Sequence, residues 1–444
     1  MSKILLKDII SYKKGNAFKS TDYQKDGVAI VRVSDFENDT VNLNNLYYVS
    51  KEVADKNKNV ILNKYDVVVT TVGASAGNFI RVPEMAEGYL LNQNAVRLRI
   101  NSDEKFEKIY LFYALKYKKF TQYLLAGAQG SAQPSIVLDQ ILNAEIPYPK
   151  KDRRKYISEV LFTLDKKIQL NTQINQTLEQ IAQTIFKSWF IDFDPVHAKA
   201  NALASGQTAE QATQVAMAVI SGKNTQELHR LQTANLEQYQ QLWEIAEAFP
   251  SGFDEEGVPR GWEERELSYL FEFLSGAQPP KSEHIYEEKE GYERFIQNRD
   301  YSNDNHKTYI PISKKNKRCT EKDILMDKYG EAGKVRYGIK GAYNVALAKI
   351  VPQKDNLREF LRSYFTQDKI RNYLSSSSMA STRNSLNSTT FTRMKVIVPN
   401  DFLLSTFDKL ANEKIDKILQ IKQENIELSK LRDYLLPKLL SGEV

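Results

Sequence analysis

The chain has 444 residues, 41% of them hydrophobic, and 62 basic side chains against 56 acidic ones give it a net charge of +6. That length and composition suit two or three ordinary globular domains and exclude a disordered or fibrous chain. With Cys319 as the only cysteine an intramolecular disulfide is impossible, the scattered His197, His229, His284 and His306 lack zinc-ligand spacing, and the mild charge permits a polyanionic partner without requiring one.

The N-terminal residues Met1 to Asp8 contain no apolar stretch of signal-peptide length. No run approaches the roughly 18 apolar residues of a membrane helix, so a soluble, cytoplasmic protein is expected. From residue 1 to about 150 the chain reads as a mixed, mostly β domain. Short runs such as Val28 to Val33, Asp66 to Thr71 and Ala95 to Ile100 are separated by Gly, Asn and Asp, and one helix is predicted from Glu104 to Leu125. A stretch free of Gly and Pro follows, with Leu161, Leu164, Ile168, Ile174, Leu178, Ile181 and Ile185 at helical spacing. It predicts one helix of about 39 residues, roughly 58 Å long, within a segment 151–195.

Residues 196–250 are rich in Ala, Gln, Thr and Asn and read as a helical insertion and linker, with a helical piece from Asn224 to Ala248. A second mixed domain spans 251–400. A second long helix is expected over 401–444, carrying Phe407, Leu410, Ile415, Ile418, Leu428, Leu431, Leu435 and Leu439, disturbed at Pro437 and ended by Ser441-Gly442. Two such helices bury their stripes most economically against each other. Leu164, Ile168, Leu178, Ile181, Ile185, Ile418, Leu428, Leu431 and Leu435 are the packing or subunit-docking candidates.

The halves repeat one another. Pro149 and Pro399 lie 250 positions apart, and the same shift superposes Asn175 on Asn425, Leu178 on Leu428, Ile181 on Leu431 and Ile185 on Leu435. Upstream the shift drifts, yet Gly73-Ala74-Ser75-Ala76-Gly77 answers Gly330-Glu331-Ala332-Gly333. The fold class expected is α+β: two mixed, mostly β domains joined by two long antiparallel helices, with a pseudo-twofold internal repeat.

Chemistry is scarce. Gly330 to Lys334 is two residues short of a phosphate-binding loop and no Ser or Thr follows the lysine, while the first copy lacks the lysine altogether, so a structural hairpin is the reading. Methyltransferase, dinucleotide and nuclease motifs are absent. What both halves offer is polar loops: Asn92, Gln93, Asn94, Gln129, Ser131 and Gln133 in the first, and Gln297, Asn298, Arg299, Tyr343, Asn344, Arg383 and Asn384 in the second. Asn and Gln suit adenine edges, Arg suits guanine, and these are the DNA-contact candidates.

Two runs carry a resemblance. Ile181 to Val196 (Ile-Ala-Gln-Thr-Ile-Phe-Lys-Ser-Trp-Phe-Ile-Asp-Phe-Asp-Pro-Val) resembles the central conserved region of type I restriction-modification specificity subunits. Leu431 to Gly442 (Leu-Arg-Asp-Tyr-Leu-Leu-Pro-Lys-Leu-Leu-Ser-Gly) resembles their C-terminal conserved region. The family's order of recognition domain, helix, recognition domain, helix covers the whole chain. The resemblance implies that each domain reads one half of a split, asymmetric double-stranded DNA site from the major groove. The helices would act as spacer and dock two methyltransferase subunits and, through them, the restriction motor and nuclease subunits. It also implies no catalysis and no cofactor on this chain, with S-adenosylmethionine on the methyltransferase and ATP and Mg on the motor. The alternative is a helical-rod interaction scaffold that binds no DNA; an enzyme acting alone on DNA is a third reading.

Overall fold

The two long apolar-periodic stretches form the longest helices, Lys151–Phe190 and Asp401–Ser441. The computed structural model describes every residue except 1, 38, 74, 118–119, 121, 125–135, 303–305, 380–384 and 444. It divides into two units, Met1–Asn171 with Glu424–Val444, and Thr172–Gln423, so that each long helix contributes one part to each unit.

In the first unit the run Val67–Thr70 is buried on both faces, the pattern of a central strand. It lies between Ala95–Ile100 and Phe79–Arg81 in an antiparallel sheet whose far edge is Ile10–Lys14. A second sheet runs Leu90–Leu91, Val28–Val31, Tyr47–Val49, Tyr23–Gln24 and contains a parallel pairing of Leu90 with Ile30 and Leu91 with Val31. The helix Lys105–Lys116 packs Tyr110, Leu111, Phe112 and Tyr113 against the first sheet, and Ile157, Leu161, Leu439 and Leu440 of the long helices complete that core. The predicted Glu104 to Leu125 helix is interrupted at Tyr117, with helical residues again at Phe120 and 122–124, and residues 118–119, 121 and 125 of that span lie outside the described residues. Tyr117 takes an extended conformation, although Phe120 and Leu124 beyond it still bury in the same core.

The second unit repeats the plan. Phe271–Ser275, Leu347–Pro352, Ile324–Asp327 and Val335–Arg336 form the first sheet in that order. The second sheet has the same parallel pairing, Phe295 with Ala342 and Ile296 with Tyr343. Phe360, Leu361 and Phe365 of the helix Arg358–Thr366 take the covering role. Phe407 is surrounded by Phe186, Trp189 and Phe190 at ring separations of 5.7, 6.3 and 5.3 Å.

Within the first unit the long helices run antiparallel. Arg153 donates to the Leu439 carbonyl, Arg432 pairs with Asp165 at 3.0 Å, and the Asn171 amide donates to Asn425 Oδ1 and Glu424 at 2.9 Å. Of the expected packing residues, Ile418 is fully buried and Leu164, Ile168, Leu178, Ile185, Leu428 and Leu435 are partly buried. Ile181 and Leu431 face solvent, at 41% and 45% exposure. The reason is a rotation of the buried face. On the first long helix Asn171, Asn175, Ala182 and Phe186 are buried, so two asparagines take positions that an apolar pattern assigns to their neighbours. The second long helix continues through Pro437 and stops where Gly442 enters the left-handed region at φ 84°.

The insertion, part of the second unit, consists of helices Asp194–Ala204, Ala209–Ser221, Thr225–Ala234 and Leu236–Ala248. The expected single piece from Asn224 to Ala248 is broken at Asn235, whose side chain accepts from the Gln238 N–H and starts a new helix. Lys199 is buried and its ammonium donates to the carbonyls of Ala246, Glu247 and Phe249 at 3.2, 3.1 and 2.6 Å. It thereby satisfies carbonyls at the end of the last insertion helix. Among the described residues, no helix is long and apolar enough to cross a membrane.

Candidate nucleic-acid interface

In each unit the same loops gather where the two sheets meet. The first loop is made by a close approach of two backbones. Gly15 sits so near the turn after Leu91 that a Cβ on it would lie 1.9 Å from the Asn92 carbonyl oxygen; in the second unit a Cβ on Gly276 would lie 2.1 Å from that of Asn344. Both residues therefore have to be glycine. The flanking bonds match: Gly15 N–H donates to the Ala95 carbonyl and Gly276 N–H to that of Leu347, both at 3.0 Å. The Asn92 N–H donates to the Val31 carbonyl at 2.9 Å, and that of Asn344 to Ile296 at 3.0 Å.

Asn92 and Asn344 are thus equivalent, and each closes its own turn. Asn92 Oδ1 accepts from the Gln93 N–H at 2.7 Å, and Asn344 Oδ1 from the Ala346 N–H at 3.2 Å. Gln93 and Asn94 project as exposed side chains, Asn94 with φ 71°. Their counterparts are Val345 and Ala346, so the frame is kept and the chemistry at its tip is exchanged. Tyr343 is not presented at the surface. It is 1% exposed, and its hydroxyl donates to the Leu274 carbonyl at 3.1 Å.

The second loop follows the strand of the parallel pairing. In the second unit it is the turn Asn298–Tyr301, in which the buried Asp300 accepts from the Gln297 N–H at 3.0 Å. Burial raises the Asp300 carboxyl above its ordinary range, against the pull of that N–H and of Arg294 at 3.2 Å. Gln297 Nε2 and Arg299 Nη2 both reach Thr308 Oγ1, at 3.2 and 3.4 Å, and Asn298 Oδ1 is buried with no hydrogen-bond partner among the described residues. The first unit has the same turn at Val33–Asp35, where Asp35 accepts from the Arg32 N–H at 2.8 Å. Arg32 and Ser34 therefore occupy the places of Gln297 and Arg299. Sequence reasoning passed over them because the offset between the halves, 250 at the helices, has grown to 265 there. The signal available was an aliphatic strand followed by a polar residue and, three positions later, Asp.

The third loop is the glycine hairpin. Gly77 N–H returns to the Thr70 carbonyl and Gly333 N–H to that of Asp327, both at 2.9 Å, and Lys334 is tied to Glu331 at 2.8 Å. A hairpin is what this geometry makes. Next to it, Thr71 N–H donates to the Asn94 carbonyl at 3.1 Å and Lys328 N–H to that of Ala346 at 2.8 Å. Thr71 and Lys328 also accept, through their carbonyls, from Ile136 and Leu386. The candidate residues Gln129, Ser131, Gln133, Arg383 and Asn384, which precede those two contacts, lie outside the described residues. Among the described residues no group of three or more His, Cys, Asp or Glu could hold a metal ion.

The sequence profile of the type I restriction modification DNA specificity domain matches residues 1–180 and 259–432. The chain is 33% identical over 406 residues to the type I restriction enzyme HindI specificity subunit of Haemophilus influenzae, covering 86% of this chain and 87% of that one. It is 27% identical over 349 residues to the MjaIX specificity subunit of Methanocaldococcus jannaschii, covering 76% and 68%. Among solved structures, a type I restriction-modification S subunit from M. genitalium superposes with a TM-score of 0.51 at 16% identity, over 99% of this chain and 95% of that one.

Proposed function

The chain belongs to the type I restriction modification DNA specificity family, and from that membership together with the paired loop clusters we propose that it supplies the sequence specificity of a type I restriction-modification complex. Each unit's cluster reads one half of a bipartite, asymmetric DNA site through the major groove. The two long helices set the unread gap between half-sites and dock two methyltransferase subunits, through which restriction motor subunits join. The chain itself performs no catalysis and binds no cofactor: S-adenosylmethionine belongs to the methyltransferase, ATP and Mg to the motor.

The observation that carries this reading is one loop frame, built twice with the same glycine contact and the same buried aspartate, bearing different side chains at equivalent places. A frame kept while its tips diverge is what two readers of unlike sequences need, since phosphate contacts position a protein and side chains at base edges specify. Selection of duplexes from a random pool by the complex of this chain with its methyltransferase tests it. Enrichment of two short, unlike sequences around a fixed gap is expected, with affinity falling steeply as salt rises. Recovery of unenriched DNA by an intact complex would favour the scaffold reading.

A further inference from the structure

We infer that position 32 in the first unit and position 297 in the second are equivalent base-reading positions, Arg32 selecting guanine in one half-site and Gln297 selecting adenine in the other. The inference deepens the proposed function and rests on it.

Arg32 is braced on two sides. Its Nε and Nη2 donate to the Asp35 carboxylate at 3.1 and 2.7 Å, and its guanidinium carbon lies 4.0 Å from the centre of the Tyr47 ring, which in turn stacks on Tyr23 at 4.6 Å. The carboxylate takes two of the five N–H donors, one from each nitrogen of that edge. The remaining donors on Nη1 and Nη2 form the adjacent edge of the same plane. Two parallel donors from one planar fork match O6 and N7 of guanine. The brace fixes the plane of the fork before DNA arrives, which lowers the ordering cost of a long side chain on binding.

Gln297 is braced by different means to a similar end. One hydrogen of Nε2 goes to Thr308 Oγ1 at 3.2 Å, from a threonine that is fully buried. Among the described residues no other hydrogen bond engages the amide, which leaves Oε1 as an acceptor and the other Nε2 hydrogen as a donor. That pair matches N7 and the N6 amino group of adenine. The backbones of both residues are pinned identically, by Asp35 and Asp300, so the two side chains leave equivalent points of the fold.

The second unit already holds the brace an arginine would need. Asp300 Oδ2 already accepts from the Gln297 N–H and pairs with Arg294 at 3.2 Å, while its Oδ1 is buried and, among the described residues, accepts no hydrogen bond. Gln297→Arg would place a second guanidinium on Asp300, sharing the carboxylate with Arg294 and supplying a donor to the buried Oδ1, so this substitution is expected to fold.

The test is to map methylated bases in a host expressing the methyltransferase with the unaltered chain, with Gln297→Arg and with Arg32→Gln. Gln297→Arg is expected to change one adenine position of one half-site to guanine, by at least about tenfold in relative methylation, leaving the other half-site unchanged. Arg32→Gln is expected to relax or change a guanine position in the opposite half-site. A split motif unaltered by both substitutions overturns the inference while leaving the proposed function standing, and so does an equal loss of methylation across all sites, the mark of a purely structural role. Absence of any split motif with the unaltered chain would instead remove the proposed function itself.

Discussion

The two units share a plan but fasten it to the long helices with opposite chemistry. In the first, Arg81 at the sheet edge places its guanidinium 4.8 Å from the ring centres of Phe112 and Phe162 and pairs with Asp165 at 3.3 Å. The strand registers put Tyr337, one residue past Val335–Arg336, in the place of Arg81. There the aromatic ring comes from the sheet side and the cations come from the helices. Arg362 and Lys422 lie 4.7 and 4.3 Å from the Tyr337 ring centre, and its hydroxyl donates to Glu179 at 2.6 Å. A cation over a ring and a carboxylate from the first long helix recur, while the residues supplying ring and cation are exchanged. Duplicated folds therefore keep an interaction where they lose the residues.

The sharpest way to break this comparison is at Asp165, which serves Arg81, Arg432 and the Tyr113 hydroxyl, the last at 2.5 Å. Asp165→Ala leaves two poorly exposed cations without their shared carboxylate, and a loss on the order of 3 kcal/mol is expected. Hydrogen exchange should accelerate in the sheet containing Val67–Thr70 and leave Ile324–Asp327 protected; equal acceleration in both would mean that the joints are not local. Lys199→Met comes next. It strips a buried donor from three carbonyls in an insertion that only the second unit has, at about 2 kcal/mol. Limited proteolysis should then cut within residues 194–250 well before either sheet, and an unchanged cleavage pattern would show that the lysine is dispensable.

Tyr337→Phe tests the second joint more gently. It keeps the ring beside its two cations and removes only the bond to Glu179, so about 1 kcal/mol is expected, read as a small shift in the denaturant midpoint. The smallest effect concerns Cys319, whose burial pushes the thiol up to about 12. At pH 8 the folded protein holds almost no thiolate, so a thiol reagent should react only as fast as the second unit opens. Immediate reaction would contradict the burial of that strand.

The sequence made the large features legible for physical reasons. Val67 to Thr70 is uniformly β-branched, the glycine pairs at 73/77 and 330/333 mark tight hairpins, and the apolar residues at helical spacing through 152–190 and 402–440 mark long helices. The buried seam was harder to see, because Asn171 and Asn175 bury while Ile174 and Ile181 do not. A hydropathy pattern assigns the opposite.

The candidate site was legible as polar loops, but not in its internal roles. Asn92 and Asn344 spend their side-chain oxygens on turn closure, and Tyr343 fills the core. Arg32 stayed hidden because no constant offset aligns it with Gln297. The offset is 250 at Pro149, 252 at Asn92, 257 at Asp66, 261 at Gly15 and 265 at Asp35, each change marking a loop of different length in the two copies. Only the backbone contacts, glycine against turn and aspartate against N–H, restore the correspondence.

Whether this chain confers split-site specificity is read from a genome-wide map of methylated bases in a host carrying the neighbouring methyltransferase subunit with and without this chain. A motif of two short, unlike sequences around a fixed unread gap is expected only when the chain is present. Unchanged methylation in the two hosts, with the complex shown to assemble, would contradict it.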